Sequence, residues 1–259
     1  MAVKHHARNS VESPRAVPPR NSARRLRVMY DHLFERFGPQ QWWPAKTAFE
    51  VVIGAYLTQN TAWKSVERSI ANLEVRGALT IGGLREISEA ELRDLIRPSG
   101  FMLRKAAALK AFVAFLDVQY AGQIEALHRA VALDAPAVRK DLLALPSVGP
   151  ETADAILLYA LDAPAVVVDE YLRRITIRHA LVSDNAKHAE IQALAEQAFA
   201  PERASGKPEG LTRHYNEFHA LVVHIGKTHC GRIARCDGCP LAFDLRKARL
   251  PVPPHKMKP

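Results

Sequence analysis

The sequence predicts an all-α protein, and a few plain observations predict it. Apolar residues recur at i, i+3, i+4 and i+7 through most of the chain, the spacing that gives a helix one buried stripe. Strand signals are scarce: Val166, Val167 and Val168 are β-branched, but a segment so short between Pro164 and Asp169 reads as an extended connection. Gly, Pro, Asn and Asp punctuate the periodic stretches about one helix length apart.

Taken in order, residues 1–22 are rich in Pro, Ser, Arg and Asn and lack periodicity, so they read as a tail. Leu26, Met29, Tyr30, Leu33, Phe34 and Phe37 form the stripe of a first helix, which Gly38 and Pro39 end. The same reasoning places helices over residues 45–57, 62–75, 89–97, 102–119, 123–131, 136–144, 150–161, 170–182, 187–199 and 210–226. No repeat of fixed period runs through them.

A chain of 259 residues, 48% hydrophobic and 24% charged, can bury one large core or two modest lobes. Its apolar runs fall well short of the roughly 20 residues that span a bilayer, and its start has no apolar signal-peptide core, so the expectation is a soluble cytoplasmic protein with no membrane partner. The formal charge of +9 is unevenly spread: residues 1–25 carry six Lys or Arg against Glu12, and residues 246–259 carry five and no acid. That leaves 25 bases against 26 acids between. The basic ends suit arms that hold phosphates, and equally suit solvated tails with no partner.

The most informative stretch is LLALPSVGPETADAILLYAL, residues 142–161. One helix ends near Leu145, a tight turn follows, and a second begins at Pro150, where a missing N–H costs nothing. The turn can present the backbone amides of Val148 and Gly149, with the positive end of the next helix dipole behind them, to a phosphate. A plain packing corner would look alike. Asp169, in VVVDEYLRRI, stands at a helix entrance, where it can cap the helix, stabilise a cationic sugar, or do both. LTQNT places Gln59 among polar loop residues between two apolar helices. Trp42 and Trp43, before Pro44, suit packing or stacking. Cys230, Cys236 and Cys239 lie together near the C-terminus, a poor disulfide pattern and a better one for a metal or cluster.

LPSVGPETADAIL, its spacing to VVVD, LTQNT and CGRIARCDGCPL occur in an order that resembles the endonuclease III branch of the helix-hairpin-helix DNA glycosylases, over roughly residues 25–245. The resemblance implies a two-lobed helical fold with the active site in the cleft, residues 44–162 forming the central lobe and residues 23–43 with 163–245 the other, flanked by basic tails at 1–22 and 246–259. It makes Asp169 the catalytic carboxylate, Val148 and Gly149 the phosphate-binding hairpin, and Gln59 the residue that fills the gap left by an extruded base. The partner would be double-stranded DNA containing a damaged base, met by a monomer in a bacterial nucleoid.

Two departures refine this. Members that also cut the strand carry a lysine where this chain has Glu151, and a carboxylate cannot form a Schiff base, so lyase activity loses its nucleophile. Ser147 also replaces the motif's first glycine, an exchange expected to perturb the turn only mildly. Members with a [4Fe-4S] cluster use four cysteines; here Leu245 takes the fourth place. No cofactor is expected with certainty: the site would be degenerate and bind nothing, hold a cluster with a non-cysteine fourth ligand, or hold zinc with His229. WWP also resembles the bacterial 3-methyladenine glycosylases of this branch, whose aromatic residues stack on an alkylated base, with Lys227 either lining that cavity or serving as a helix-end cation. An alkylated purine is the leading substrate. Mismatched uracil or thymine, oxidised pyrimidine, and adenine opposite oxidised guanine are the alternatives within the family, and a non-catalytic DNA-binding protein is the alternative outside it.

Overall fold

A computed structural model describes residues 20–245 apart from residues 41 and 44; the expected tails at 1–19 and 246–259, and Pro44 of the WWP motif, lie outside the described residues. The described residues form helices α1 (Arg20–Phe37), α2 (Ala48–Thr58), α3 (Trp63–Val75), α4 (Ile81–Glu86), α5 (Glu89–Leu95), α6 (Met102–Tyr120), α7 (Ile124–Leu143), α8 (Pro150–Tyr159), α9 (Glu170–Arg178), α10 (His188–Ala198), α11 (Ala200–Ala204) and α12 (Pro208–Thr228). Single 3-10 turns occupy Arg97–Ser99 and Ala242–Asp244. Among the described residues the extended pairing is one isolated bridge, between Cys230 and Ala234. The valines before Asp169 are an extended connection, as their brevity predicts.

Several boundaries differ from expectation for identifiable reasons. The first helix starts at Arg20, so the tail reading fails for residues 20–22: Ser22 and Ala23 are buried. Arg25 is no free arm either, since its guanidinium donates to Asp244 at 2.9 and 2.6 Å and to the His179 carbonyl at 2.8 Å. Helix α4 is hidden in the sequence by Gly82 and Gly83, which lower helix propensity. Gly83 is nevertheless required, because a Cβ there would lie 2.1 Å from the Gly77 carbonyl oxygen. The helices expected over 123–131 and 136–144 are one helix with a kink at Asp134 (φ −151°, ψ 80°), where the Asp134 side chain caps the second half through the Ala137 amide at 3.0 Å. Helix α9 stops at Arg178 rather than 182, and Ala180 turns left-handed beyond it at φ 51°.

The helices build two apolar cores. Phe49, Ile53, Tyr56, Leu73, Leu109, Phe112 and Ile156 belong to the first, which α2–α8 enclose. Leu26, Tyr30, Leu172, Leu194, Phe199, Phe218 and Leu221 belong to the second, built mainly by α1, α9, α10 and α12. Helix α8 serves both: Ile156 and Leu157 face the first core, Ala155 and Leu158 the second. Tyr159 and Ala165 pack against both, so the end of the hairpin's second helix lies where the two lobes meet.

Candidate active site

The turn between α7 and α8 places Ser147 at φ 63°, a left-handed conformation that a glycine adopts without strain and a serine holds at a cost of about 1 kcal/mol. The Ser147 exchange therefore keeps the turn and adds strain to it. The Val148 amide already donates to the Leu145 carbonyl at 3.3 Å, and the Val148 side chain is buried. What the hairpin offers an anion is thus centred on Gly149, the N-cap of α8, and on the first amides of the helix, which have no intrahelical acceptor.

Asp169 is buried at 7% exposure and caps α9: Oδ1 accepts the Leu172 amide at 2.7 Å. The cap engages one carboxylate oxygen and leaves the other outside it. Its other oxygen, Oδ2, stands 3.6 Å from His219 Nε2 on α12. His219 Nδ1 in turn lies 2.6 Å from the Tyr159 hydroxyl. Burial, together with the nearby Asp169 and Glu217 carboxylates, raises the Tyr159 phenol well above its ordinary range, so it keeps its proton. Glu151 faces the same region. Although the residue is exposed, the protein around its carboxyl, reinforced by Asp169 and opposed by His219, pushes it up to about 7. The Asp169 carboxylate lies close enough to act on the Glu151 carboxyl, so the two groups share one site.

The polar loop after α2 is tied to this hairpin. Gln59 Nε2 donates to the Ser147 carbonyl at 2.8 Å and to Thr152 Oγ1 at 3.0 Å, and Asn60, at φ 52°, is exposed at the tip. Beneath it lies Lys105, which the sequence did not single out. Its ammonium is 1% exposed and donates to the Leu57 carbonyl, Thr61 Oγ1 and the Ser99 carbonyl at 2.7, 2.7 and 2.8 Å. Burial and Arg104 lower its pKa to about 8. Phe101, also at positive φ (47°), exposes its ring beside this brace.

Trp43 sits at φ 76°, a strained conformation for an aromatic residue. Packing holds it there: the indole stacks on Tyr159 (4.9 Å between centroids, 29°), meets Trp63 edge-on, and fits over Gly54, where a Cβ would lie 3.2 Å from Cζ2. The Lys227 ammonium lies 5.3 Å over the Trp42 ring, and the Trp42 indole N–H is buried without a partner among the described residues. Both tryptophans therefore have packing roles, and Trp43 meets the hairpin helix at Tyr159, the residue that contacts His219.

Cys230, Cys236 and Cys239 line one cavity with Arg178, His229 and Leu245, among others. Burial, with the other two thiols nearby, raises the Cys239 thiol. Arg178 Nη1 stands 3.1 Å from Cys230 Sγ, and His229 Nδ1 stands 3.2 Å from the Arg235 carbonyl oxygen. Among the described residues no group of three or more His, Cys, Asp or Glu side chains is placed to hold a metal ion, and Leu245, which stands at the fourth-cysteine position of the motif, lines the cavity with hydrocarbon.

The sequence singles out Asp169, Glu151, Gln59 and the tryptophans, and does not single out His219 and Tyr159, which the fold places beside Asp169. The available signal was a pair of polar residues, Glu217 and His219, interrupting the apolar face of α12 around Phe218 and Leu221.

A helix-hairpin-helix set beside a cleft carboxylate between two helical lobes defines a class, the helical DNA glycosylases. A model of the HhH-GPD superfamily of base excision DNA repair proteins matches residues 53–201, and the chain belongs to that superfamily. A Methanocaldococcus jannaschii protein named as a DNA repair glycosylase is 41% identical over 213 residues, spanning 82% of this chain and 92% of its own length. Among solved structures, H. pylori 3-methyladenine DNA glycosylase bound to 1,N6-ethenoadenine aligns at 26% identity with a TM-score of 0.67, over 80% of this chain and 97% of that one. A trapped endonuclease III–DNA covalent intermediate aligns at 21% identity with a TM-score of 0.70, over 87% of this chain and 96% of that one, a likeness of fold. Among the described residues no helix is long and apolar enough to cross a membrane.

Proposed function

We propose that this DNA glycosylase is monofunctional, acts as a monomer, and hydrolyses the N-glycosidic bond of an alkylated purine flipped out of duplex DNA. The observation that carries this reading is the pair of carboxyl groups at the hairpin: Asp169 with one oxygen outside its cap, and Glu151 where strand-cleaving relatives have a lysine.

Gly149 and the first turn of α8 hold a phosphate of the damaged strand, with Val148 packing beneath them. Gln59, and the exposed Asn60 and Phe101 beside it, enter the space that the extruded base leaves. The Asp169 carboxylate stabilises the positive charge that grows on the sugar as the bond to C1′ lengthens. Water then adds to C1′ and gives its proton to Glu151, whose pKa near 7 suits a base at neutral pH. The base leaves with the bonding electrons. A purine already made cationic by alkylation leaves neutral and needs no acid, which suits a site with few catalytic groups.

Selection would come from the indole faces of Trp42 and Trp43 left open by Lys227 and Tyr159, since electron-rich rings favour a cationic base over a neutral one. The H. pylori relative, solved with a modified adenine, supports this choice.

The test is a panel of duplexes each carrying one lesion, incubated with the protein and then heated in alkali to cut abasic sites. Alkylated purine should be released fastest. Release of uracil or thymine from mismatches with alkylated purine untouched would replace the substrate class, and no release from any duplex would make the chain a binding protein.

A further inference from the structure

Resting on that reading, we infer that His219 is a positioning residue for Asp169, itself set by Tyr159: the phenol fixes the imidazole in its Nε2–H form, and that N–H faces the Asp169 oxygen left free by the cap.

Tyr159 keeps its proton, and its oxygen is 2.6 Å from His219 Nδ1. If the phenol donates, Nδ1 must carry a lone pair, and a neutral imidazole then has its hydrogen on Nε2. The opposite tautomer would direct the Nε2 lone pair at the Asp169 carboxylate, lone pair against negative charge. Both partners therefore select the same form. His219 and Asp169 are each 7% exposed, so water competes little for either.

The groups that face this imidazole from the packed elements are Tyr159 and Glu151 on α8 and Asp169 at the start of α9. Glu217 on α12 adds a second carboxylate near the phenol and accepts the Gln40 amide at 2.7 Å. The 3.6 Å separation exceeds a hydrogen bond, so here the imidazole orients the carboxylate by its dipole; a shift of a few tenths of an ångström would make the bond. Asp169 is thus capped on one oxygen and aimed through the other. A histidine that only filled the core would need neither the phenol nor the polar edge toward Asp169.

The experiment uses the full chain and a duplex carrying one alkylated purine, with His219→Leu, His219→Gln, Tyr159→Phe and Asp169→Asn beside the wild type. Base release is followed in single turnover, and affinity is read on a duplex containing an abasic-site analogue. His219→Leu should slow release by about tenfold or more, the scale of a lost hydrogen bond to a charged group, with affinity within about twofold of wild type. His219→Gln, which puts an amide N–H near the Nε2 position, should recover most of the rate. Tyr159→Phe keeps the stacked ring but frees the tautomer. Nitrogen-15 spectra of the imidazole, assigned by its absence in His219→Gln, should show the Nε2–H form in wild type and a tautomer mixture in Tyr159→Phe.

A wild-type rate in His219→Leu, or a wild-type spectrum and rate in Tyr159→Phe, overturns the inference while leaving the glycosylase reading intact. Should the leucine variant fail to fold, the phenylalanine variant decides alone. A wild-type protein that releases no base overturns the reading and the inference together.

Discussion

Asp154 and Asp169 are both buried carboxylates, one inside the hairpin's second helix and one at the end of the connection that follows it, and their surroundings differ sharply. Asp154, fully buried, accepts from Arg139 Nε and Nη2 at 2.6 and 3.1 Å and from Gln192 Nε2 at 3.1 Å, with His188 Nε2 3.8 Å away. It joins α7 of the first core to α10 of the second. Asp169 accepts one backbone amide and faces an imidazole at 3.6 Å. A buried charge whose oxygens are all engaged holds the fold together, whereas one left partly unpaired keeps its field available to something else in the cleft.

The reciprocal pair of variants should break this comparison if it is wrong. Asp169→Asn keeps a capping acceptor and so most of the stability, but loses the charge that offsets the transition state, which should slow base release about a hundredfold or more. Asp154→Asn removes the buried charge that accepts from Arg139 and Gln192 and should cost about 3 kcal/mol of unfolding free energy, with the rate per folded molecule nearly unchanged. Urea unfolding and single-turnover rates on the same preparations check both. Equal effects of the two variants on both readouts would erase the distinction.

A smaller effect is expected at the tryptophans. Loss of one cation–π partner is worth roughly 0.5 to 2 kcal/mol, so Trp42→Ala should slow release of an alkylated purine by about twofold to thirtyfold, against little change in non-specific DNA affinity, which phosphate contacts set and salt should weaken. If Trp42→Ala and Trp43→Ala only lower the melting temperature, packing is their whole role.

The cysteine corner should matter less still. Cys236→Ser should leave the melting temperature close to wild type, since the cavity's donors are incomplete. Four irons per chain in the purified protein would contradict that.

Glu151 gives the smallest expected shift. Its folded pKa of about 7 lies above the ordinary 4.5, so folding takes up a proton between those values and the group's contribution to stability falls as pH rises through that window. Glu151→Gln should therefore raise the melting temperature slightly at pH 8 and leave it unchanged near pH 4. A gain at low pH alone would reverse the assignment.

Much of the fold was legible because amphipathic periodicity is local: the stripe from Leu26 to Phe37 and the Pro150 helix start read directly. Helix α4 was not, because Gly83 answers to a contact with Gly77 that periodicity does not encode. Asp169 and Glu151 were legible through motif spacing. His219 and Tyr159 were not, since residues 60 positions apart are joined by the packing of α12 on α8. Lys105 stayed hidden for a similar reason: a lysine in an amphipathic helix reads as solvated, and only the tertiary fold shows it buried among carbonyls.

Hydrolysis without an amine nucleophile can be read from one reaction analysed in three ways. A duplex carrying an alkylated purine is incubated with the wild-type chain, and equal samples are analysed directly, after hot alkali, and after borohydride treatment during the reaction. The account predicts cut strand in the alkali sample, intact strand in the untreated one, and no protein–DNA adduct with borohydride. Strand cut without alkali, together with an abundant trapped adduct, would show that an amine of this chain attacks C1′ and would contradict the role assigned to Glu151.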